Sequence, residues 1–350
     1  MKALFIGLGG IGQRHLRNFH AATIGRGERA EVLAYRVRRR GDVLTDQLRV
    51  DPGKDLETTY SIRGFSDLGQ ALAQRPDVAF ICNPTSLHIP VALEAARAGC
   101  HLFLEKPLSH NLDGLDELIA AVEGKRLAAV VGYQLRFHPL LQRVHEVLTS
   151  GAIGQVLAVR MDVGERITKW HPYEDYRDMY ASRRDLGGGV VLSQIHEMDY
   201  ALWFFGYPEQ VFAVGGKLSS LEVDVEDVAS ILMRCRVNGR VVPVHVHQDY
   251  VQDPPSRSCQ VIGDAGKLVL DLRVPSLVVY GPDGAVTESR SIEQFARNKL
   301  FMDEIEHFLA CARGEQKPVV SLRDGARSLR MALAARESLA TGKVVELTSP

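Results

Sequence analysis

Residues 1–15 read MKALFIGLGGIGQRH, an apolar run of strand length that breaks into glycines spaced G-x-G-x-x-G. Gly7 allows the chain to turn sharply off the strand, and Gly9, which lacks a side chain, allows a pyrophosphate to approach the backbone. Gly12 allows the next segment, 13–22, to pack as a helix close to the strand. The N–H groups at the positive end of that helix favour an anion. The stretch therefore predicts a dinucleotide-binding turn, and the alternative is a glycine-rich turn without a ligand.

The bulk composition is that of an ordinary globular protein. The 350 residues are 45% hydrophobic and 24% charged, with a formal net charge of −1, and two domains are expected at this length. Such a charge gives no protein-wide field for nucleic acid or an anionic membrane surface. No apolar run approaches the ~18 residues that a membrane span needs. The five cysteines are scattered without a C-x-x-C pair, which indicates a reducing, cytoplasmic location.

The first part of the chain alternates short apolar runs with segments of helical pattern. The expected strands are residues 2–6, 31–35, 77–82, 100–105 and 127–133. This alternation predicts an α/β fold with a doubly wound parallel sheet, and we assign residues 1–125 to a dinucleotide-binding Rossmann domain. Within it, we expect residues 41–57 to form a loop or short helix and residues 58–62 to form a short strand.

The second part changes character. We expect helices at 140–149, 191–206, 295–313 and 322–341, a long functional loop at 164–189, and strands at 155–163, 210–218, 228–237, 240–250, 258–263, 266–272 and 276–281. Consecutive strands joined by turn signals predict a largely antiparallel sheet with one face on helices. Residues 126–350 are therefore assigned to a second, α/β domain, whose last helices could return to the first domain.

The end of the second predicted strand carries information about the coenzyme. Tyr35 is followed by Arg36 and by a basic run at 38–40, and no acid stands at the end of this strand, the expected place for a residue that bonds a ribose 2′-hydroxyl. Because a guanidinium offers several donors and a full charge, Arg36 suits a 2′-phosphate. The sequence favours NADP over NAD on this ground. The alternative is a solvated basic loop, with NAD as the coenzyme.

Polar residues follow two further buried strands directly. They are Asn83, Pro84, Thr85 and His88 after the strand 77–82, and Glu105 and Lys106 at the end of the strand 100–105. The carboxyl ends of parallel strands form the cofactor crevice in such folds, so these residues are candidates for it. The alternatives are ordinary turn and cap chemistry for the first group and a surface lysine for the second.

These residues and several later motifs resemble the Gfo/Idh/MocA family, the relatives of glucose–fructose oxidoreductase and inositol dehydrogenase. The matching features are Gly7-Leu8-Gly9-Gly10-Ile11-Gly12, Asn83-Pro84-Thr85 with His88, Glu105-Lys106-Pro107, Arg136-Phe137-His138-Pro139, Gly151-Ala152-Ile153-Gly154, Gly187-Gly188-Gly189, His196 with Asp199, Trp203 and Gly206, Pro318 to Ser321, Arg336-Glu337-Ser338 and Gly342-Lys343. The resemblance covers essentially the whole chain, and the Glu-Lys-Pro triplet is its most specific signal.

The resemblance implies a Rossmann domain followed by an α/β domain with an open, mostly antiparallel sheet. It also implies a nicotinamide cofactor, a sugar or polyol substrate, and a homodimer or homotetramer that pairs through the second sheet. It places Lys106 near the reacting carbon. Family members usually carry an aspartate shortly before the histidine that corresponds to His196, and Ser193 stands about there in this chain. Asp199, one turn after His196, is interpreted as structural or as orienting the imidazole.

The chemistry of two side chains suits hydride transfer. His196 can take or give the hydroxyl proton near neutral pH, and Lys106 as an ammonium can polarise a carbonyl. The alternative for His196 is a packed histidine on an amphipathic helix. The aromatic and charged loop 164–184 suits a carbohydrate, or a subunit contact, and Arg136 is either a structural tie or a substrate ligand.

The sequence analysis thus predicts two sets of site residues. Cofactor contacts are expected from Gly7, Gly9, Gly10, Ile11, Gly12, Arg36, Asn83, Pro84, Thr85, His88, Glu105 and Lys106. Substrate contacts are expected from Lys106, Arg136, Trp170, Tyr176, Ser193 and His196, of which Lys106 and His196 are the catalytic candidates. His245 and His247 share one face of a strand, but nothing in the spacing marks a third ligand, so no metal is expected.

The predicted activity is that of an NAD(P)-dependent oxidoreductase. It would transfer hydride between the coenzyme and a hydroxyl or keto carbon of a sugar, a sugar derivative, including nucleotide-linked ones, or a cyclitol. Two alternatives stay open: a glycoside hydrolase of the same family that retains NAD, and a cofactor-sensing protein without catalysis.

Overall fold

The computed structural model describes residues 1–37 and 41–348, and the predicted basic residues at 38–40 lie outside that range. The strands are β1 Lys2–Ile6, β2 Glu31–Tyr35, β3 Asp42–Leu44, β4 Val50–Asp55, β5 Ile62–Phe65, β6 Val78–Ile81, β7 His101–Glu105, β8 Ala129–Gly132, β9 Val156–Gly164, β10 Gln210–Gly216, β11 Val228–Val237, β12 Arg240–Asp249, β13 Ser256–Gly263, β14 Gly266–Asp271, β15 Ser276–Tyr280, β16 Val286–Ser291 and β17 Val345–Glu346. The helices are α1 Gly10–Gly25, α2 Leu56–Tyr60, α3 Leu68–Leu72, α4 His88–Arg97, α5 Leu115–Gly124, α6 Pro139–Thr149, α7 Val190–Ser193, α8 His196–Phe205, α9 Asn298–Ala312 and α10 Leu322–Thr341. Within the described ranges, no helix is long and apolar enough to cross a membrane.

The chain divides into two units. The first unit comprises residues 1–134, 171–175 and 297–326, and the second comprises 135–170, 176–296 and 327–350. The boundary predicted at residue 125 differs from this division, because β8 pairs with β7 and so belongs to the sheet of the first unit.

The first unit is built on a six-stranded sheet in the order β5-β2-β1-β6-β7-β8, and every neighbouring pair is parallel. Its central strands are buried along almost their whole length, as a sheet covered by helices on both faces requires. The core is aromatic: Phe5 stacks on Phe80 at 4.5 Å between ring centroids. Phe308 of α9 meets Phe80 and Phe103 at 5.3 and 5.6 Å. This confirms the doubly wound parallel sheet that the strand–helix alternation predicts.

The predicted strand at 58–62 is wrong. Residues 56–60 form α2, because Asp55 caps its first turn by accepting a hydrogen bond of 2.9 Å from the Thr58 N–H. Ser61 ends this helix in a left-handed conformation, with φ of 51°. The preceding segment, expected as a loop or short helix, forms the hairpin β3–β4 instead. In residues 58–60 the cap at Asp55 outweighs the strand propensity of threonine and tyrosine. The hairpin is short and polar, so its sequence carries little periodic signal.

The second unit is built on a nine-stranded sheet in the order β16-β15-β14-β13-β9-β12-β11-β10-β17. All neighbouring strands run antiparallel except β9 and β12, which are parallel. Burial alternates along β10, β11 and β12, so one face carries a core and the other face is largely exposed. The mostly antiparallel sheet is therefore confirmed.

The predicted helix at 191–206 is broken into α7 and α8. Gln194 lies between the two helices, and its side-chain Nε2 donates to the Asp249 carbonyl at 3.0 Å. In return, the Gln248 side chain donates to the Gln194 carbonyl at 2.6 Å. These bonds tie the break to the end of β12, and they place His196 at the first turn of α8.

Candidate functional site

The glycine turn after β1 has no room for side chains at two positions. A Cβ added to Gly7, whose φ is 94°, would lie 2.8 Å from the Asn83 backbone nitrogen, and one added to Gly12 would lie 2.3 Å from the Gly7 carbonyl oxygen. At Gly9 the equivalent position is open, with nothing within 4 Å. The turn is thus tight where the backbone packs on itself and open where a ligand would approach.

The N-terminus of α1 suits an anion. Gly10, Ile11 and Gly12 are its first residues, Gly9 is its N-cap, and within this helix no side chain caps the first turn and no acid lies in it. The first N–H groups and the helix dipole therefore point at the open position beside Gly9. The set fits the pyrophosphate of a dinucleotide.

A tyrosine outside the sequence-predicted set lies against the same turn. The Tyr173 hydroxyl is 2.9 Å, and Leu48 Cδ2 is 3.0 Å, from where a Cβ on Gly10 would stand. Tyr173 stacks on His171 at 5.3 Å, and His171 Nδ1 contacts Glu174 Oε1 at 2.8 Å. Sequence reasoning grouped this residue with the long loop, and no spacing signal connects it with residue 10.

The segment after β6 is fixed to the segment after β7 through one imidazole. His88 is buried, and its Nε2 lies 2.8 Å from the Asn83 carbonyl while its Nδ1 lies 2.9 Å from the Pro107 carbonyl. Burial lowers the pKa of His88, although both carbonyls oppose this, so the neutral ring donates to one of them. The Asn83 side-chain oxygen is buried without a hydrogen-bond partner. It is an acceptor to which a cofactor amide could donate. The neighbouring Thr85 is buried, whereas Pro84 is half-buried.

Arg36 at the end of β2 already has an acidic partner. Its side chain is 6% exposed, and its guanidinium bonds the carboxylate of Glu57 in α2. Its backbone N–H donates to the Phe65 carbonyl at 3.1 Å. The structure therefore differs from the prediction that the Arg36 guanidinium is open to a 2′-phosphate, because a phosphate would compete with Glu57.

The Glu105-Lys106 pair at the end of β7 is supported from α1. His15 Nε2 lies 2.5 Å from Glu105 Oε1, and both side chains are buried. The other carboxylate oxygen accepts the Lys106 backbone N–H at 3.1 Å. Burial would raise the pKa of Glu105, but the hydrogen bond from His15 and the charge of Lys106 outweigh it, and the pKa is lowered. Sequence reasoning missed His15, although its position three residues after Gly12 puts it on the strand-facing side of α1.

In the second unit, His196 and Ser193 flank the break before α8. Both are buried. Burial raises the pKa of the Tyr250 phenol well above its usual value, although the Ser193 side chain opposes this. The Tyr250 hydroxyl donates to the Ala181 carbonyl at 3.2 Å. Two neutral hydroxyls, those of Ser193 and Tyr250, therefore belong to the region where the family resemblance implies an aspartate.

Arg136 is engaged by Asp199. Its Nε donates to Asp199 Oδ2 at 2.6 Å and its Nη2 donates to Oδ1 at 3.0 Å. The guanidinium also lies 4.6 Å from the centroid of the Trp203 ring. Both charged side chains are almost completely buried. This geometry favours the structural tie over the substrate ligand, and it accounts for Asp199 as a structural residue.

Two predicted substrate residues of the long loop have partners within the second unit. Trp170 packs edge-on against Tyr250 at 5.3 Å, and its indole nitrogen is buried without a hydrogen-bond partner. The Tyr176 hydroxyl accepts the Glu222 backbone N–H at 3.2 Å. The substrate role of both residues stays a prediction.

Of the histidine pair on β12, His247 forms part of a polar network. His247 Nδ1 lies 2.9 Å from the Ser230 hydroxyl, and its Nε2 lies 3.3 Å from Asp249 Oδ2. The bond to Asp249 raises the pKa of His247. Among residues 1–37 and 41–348, no group of three possible metal ligands is found.

The comparisons with known proteins agree with these motifs. Residues 1–133 match the model of an oxidoreductase family with an NAD-binding Rossmann fold, and residues 141–269 match the model of the GFO/IDH/MocA C-terminal domain. The chain is 26% identical over 357 residues to myo-inositol 2-dehydrogenase of Thermotoga maritima, which covers 99% of this chain and 98% of that protein.

Two solved structures share the fold. Levoglucosan dehydrogenase, in complex with NADH and levoglucosan, matches with a TM-score of 0.81 over 100% of both chains at 19% identity. The WlbA dehydrogenase from Bordetella pertussis, in complex with NADH and UDP-GlcNAcA, matches with a TM-score of 0.77 at 22% identity, over 100% of this chain and 99% of that one. With a family model matching each of its two parts, the chain belongs to the Gfo/Idh/MocA oxidoreductase family.

Proposed function

We propose that the protein transfers hydride between NAD(P) and a hydroxyl or keto carbon of a sugar, a sugar derivative or a cyclitol. One observation carries this proposal. The glycine turn, Asn83 and Lys106 follow β1, β6 and β7, which are neighbours in one parallel sheet, so all three lie at its carboxyl edge, where such folds bind dinucleotides. The relatives named for inositol, levoglucosan and a nucleotide-linked sugar acid support a polyhydroxylated ring as substrate.

The proposed division of labour follows from the two side chains. The bound nicotinamide supplies or accepts the hydride. Lys106, as an ammonium, stabilises the negative charge that develops on the substrate oxygen. His196 exchanges the hydroxyl proton. Ser193 and Tyr250 offer hydroxyls but no carboxylate, so on this proposal His196 works without the aspartate common in relatives.

The coenzyme preference is proposed as NADP, supported by Arg36 at the end of β2. The pairing of Arg36 with Glu57 is the feature that opposes it, and the variant Glu57→Gln separates the two possibilities. If Arg36 serves a 2′-phosphate, removing the carboxylate strengthens NADPH binding and leaves NADH binding unchanged. If Glu57 instead bonds a ribose hydroxyl, the same variant weakens NADH binding. Titration of nicotinamide fluorescence measures both affinities.

The partner is proposed to be a second copy of this chain, seated on the exposed face of the nine-stranded sheet. Phe212, Leu232, His245 and Arg160 lie side by side across β10, β11, β12 and β9 on that face. Phe212 and Leu232 are exposed in the isolated chain. Exposed apolar side chains beside an arginine are typical of a subunit contact. A dimer, or a tetramer made of two such dimers, would bury them.

The activity is tested with purified protein, each coenzyme, and a panel containing myo-inositol, levoglucosan and a UDP-hexosamine uronic acid. Net reduction of added coenzyme by one of these substrates is expected. Lys106→Ala is expected to keep coenzyme binding and lose turnover. Coenzyme binding without turnover in the wild type, and no effect of Lys106→Ala on any readout, would favour the cofactor-sensing alternative. Glycoside cleavage without net turnover would favour the hydrolase.

A further inference from the structure

We infer that His15 is a positioning residue for Lys106: it holds Glu105, and through Glu105 it holds the backbone of the proposed catalytic lysine. The inference rests on the proposed role of Lys106. It adds a residue of the cofactor-binding helix to the machinery of the reaction.

The contacts form a chain across the first unit. His15 projects from α1, the helix whose N-terminus carries the glycine turn, and reaches Glu105 at the end of β7 with a distance of 2.5 Å. Glu105 uses its second oxygen on the Lys106 N–H at 3.1 Å. Residues 15 and 105 are 90 positions apart in the sequence. The helix that would receive the pyrophosphate and the strand that presents the lysine are therefore joined by one buried carboxylate.

The surroundings of His15 fix which nitrogen donates. The ring lies 4.8 Å from Phe103 and 6.0 Å from Phe301, measured between centroids, and its Nδ1 atom has no hydrogen-bond partner. A hydrogen on Nδ1 would be a buried donor without an acceptor, which is costly. We therefore assign the tautomer in which Nε2–H donates to Glu105 and Nδ1 is bare.

Glu105 is the only partner that this donor meets among the described contacts, and several titratable groups lie close enough to act on that carboxylate. Arg14 and His15 act from α1, His88 acts from α4, and Lys106 follows in the chain. The Cys82 thiol at the end of β6 feels both Glu105 and the buried Glu304 of α9. His15 makes a direct side-chain hydrogen bond to Glu105.

Loss of the His15 donor would change Glu105 in two ways. The carboxyl group would stay buried without its main hydrogen bond, so it would take up a proton at higher pH. It would also lose its anchor to α1, so the Lys106 backbone would gain freedom. An ammonium next to a neutral carboxyl gives up its proton at lower pH than one next to a carboxylate. Carbonyl reduction needs the ammonium, so as the pH is raised its activity would be lost at a lower pH than in the wild type.

Two amide variants form a matched test that keeps a polar side chain at the buried position. In His15→Gln the amide nitrogen stands about where Nε2 stands and can donate to Glu105, whereas the shorter His15→Asn cannot reach it. We expect His15→Asn to lower kcat by about tenfold or more, the effect of displacing a reacting group by a fraction of an ångström to 1 Å. We expect its alkaline limb of kcat/KM for carbonyl reduction to move down by about 1 pH unit. His15→Gln should restore most of both.

Coenzyme affinity and thermal stability are measured on the same samples. His20→Phe is the control, because His20 lies on the same helix, packs on Tyr60 and is not bonded to an acid. The control is expected to keep the wild-type kcat and pH profile. Because His15 acts through Glu105, the double variant His15→Asn with Glu105→Gln should lose no more activity than the worse single variant.

The outcomes separate this inference from the proposed function. Normal turnover in Lys106→Ala would overturn the proposed function and the inference with it. An inactive Lys106→Ala together with wild-type kinetics in His15→Asn would overturn only the inference. Equal losses in His15→Gln and His15→Asn, without a shift of the pH limb, would show that His15 only fills space. If His15→Asn does not fold, the double variant His15→Gln with Glu105→Gln is measured instead. If its loss of activity equals the sum of the two single losses, the inference is overturned equally.

Discussion

The buried ion pair between Arg136 and Asp199 gives a stability prediction that can be worked out from the structure. The perturbation is Asp199→Asn, which keeps the volume of the side chain and one acceptor oxygen but removes the negative charge. Asp199 is 2% exposed and Arg136 is 9% exposed at the side chain. The variant therefore leaves a buried guanidinium facing a neutral amide.

The burial of the pair decides the magnitude. Exposed ion pairs contribute about 0–1 kcal/mol, whereas removing one partner of a buried pair costs about 3–5 kcal/mol because the other charge stays buried. Since the asparagine keeps one acceptor for Nε or Nη2, we take the lower end, about 3 kcal/mol. For a domain of 150–250 residues this corresponds to a loss of about 6–12 °C in Tm.

The assay is thermal unfolding followed by tryptophan fluorescence, since Trp203 lies on the Arg136 guanidinium. Asp185→Asn is the matched control, because Asp185 also accepts two hydrogen bonds from an arginine, Arg183, but on the surface. Its Tm is expected to stay close to that of the wild type. If Asp199→Asn melts at the same temperature as Asp185→Asn, the interpretation of Arg136 as a buried structural tie is refuted. At assay temperatures well below Tm, the KM values for coenzyme and substrate are expected to stay near those of the wild type in both variants.

Three further predictions concern other parts of the molecule. Gly9→Ala is expected to fold normally yet to lose coenzyme affinity, because its Cβ meets open space in the free protein. Gly12→Ala would clash with backbone and lose both its fold and its coenzyme affinity. Circular dichroism with coenzyme titration separates the two variants, and unchanged affinity in Gly9→Ala would contradict the assigned approach of the ligand. Leu232→Asp, on the exposed sheet face, is expected to convert the proposed oligomer to a monomer in sedimentation velocity, and a mass unchanged from that of the wild type would remove that face as the contact. Arg143 holds the pKa of Glu288 at about 2, below the ordinary 4.5. Since the folded-state pKa is lowered, this stabilisation is present above about pH 4.5 and is lost as pH falls toward 2. Arg143→Met should make the free energy of unfolding, measured with urea, depend less on pH in that window. A pH dependence equal to that of the wild type would contradict this.

The elements that sequence reasoning found are those whose pattern is local. The strand of residues 2–6, the glycine turn and the start of α1 are specified by adjacent residues, because strand, turn and helix signals follow one another without a gap. The alternation of buried strands with helices gave the parallel sheet for the same reason. Helix α2 was missed because a single cap at Asp55 decides it, and short polar segments carry little periodic signal.

The parts of the site that sequence reasoning did not reach depend on partners far apart in the chain. Arg36 was expected to be open to a phosphate, but its partner Glu57 stands 21 residues on, in helix α2, whose later residues were predicted as a strand. The His15–Glu105 contact joins an unremarked helix position to the end of a strand in another βα unit. No local pattern encodes such a pair, because only the sheet order brings the two elements together.

The discontinuity of the first unit affects when that unit can finish folding during synthesis. Its aromatic core is closed by Phe308 of α9, although the strands that this helix covers are complete by residue 132. At 5–20 residues per second, the ribosome needs roughly 9–36 s to add the intervening stretch. During that interval Phe80 and Phe103 lack the ring that seals them, and the nascent sheet presents an apolar surface of the kind that chaperones bind. A fragment ending at residue 134 would keep that surface permanently, so the native first unit is a product of the finished chain rather than of its N-terminal third.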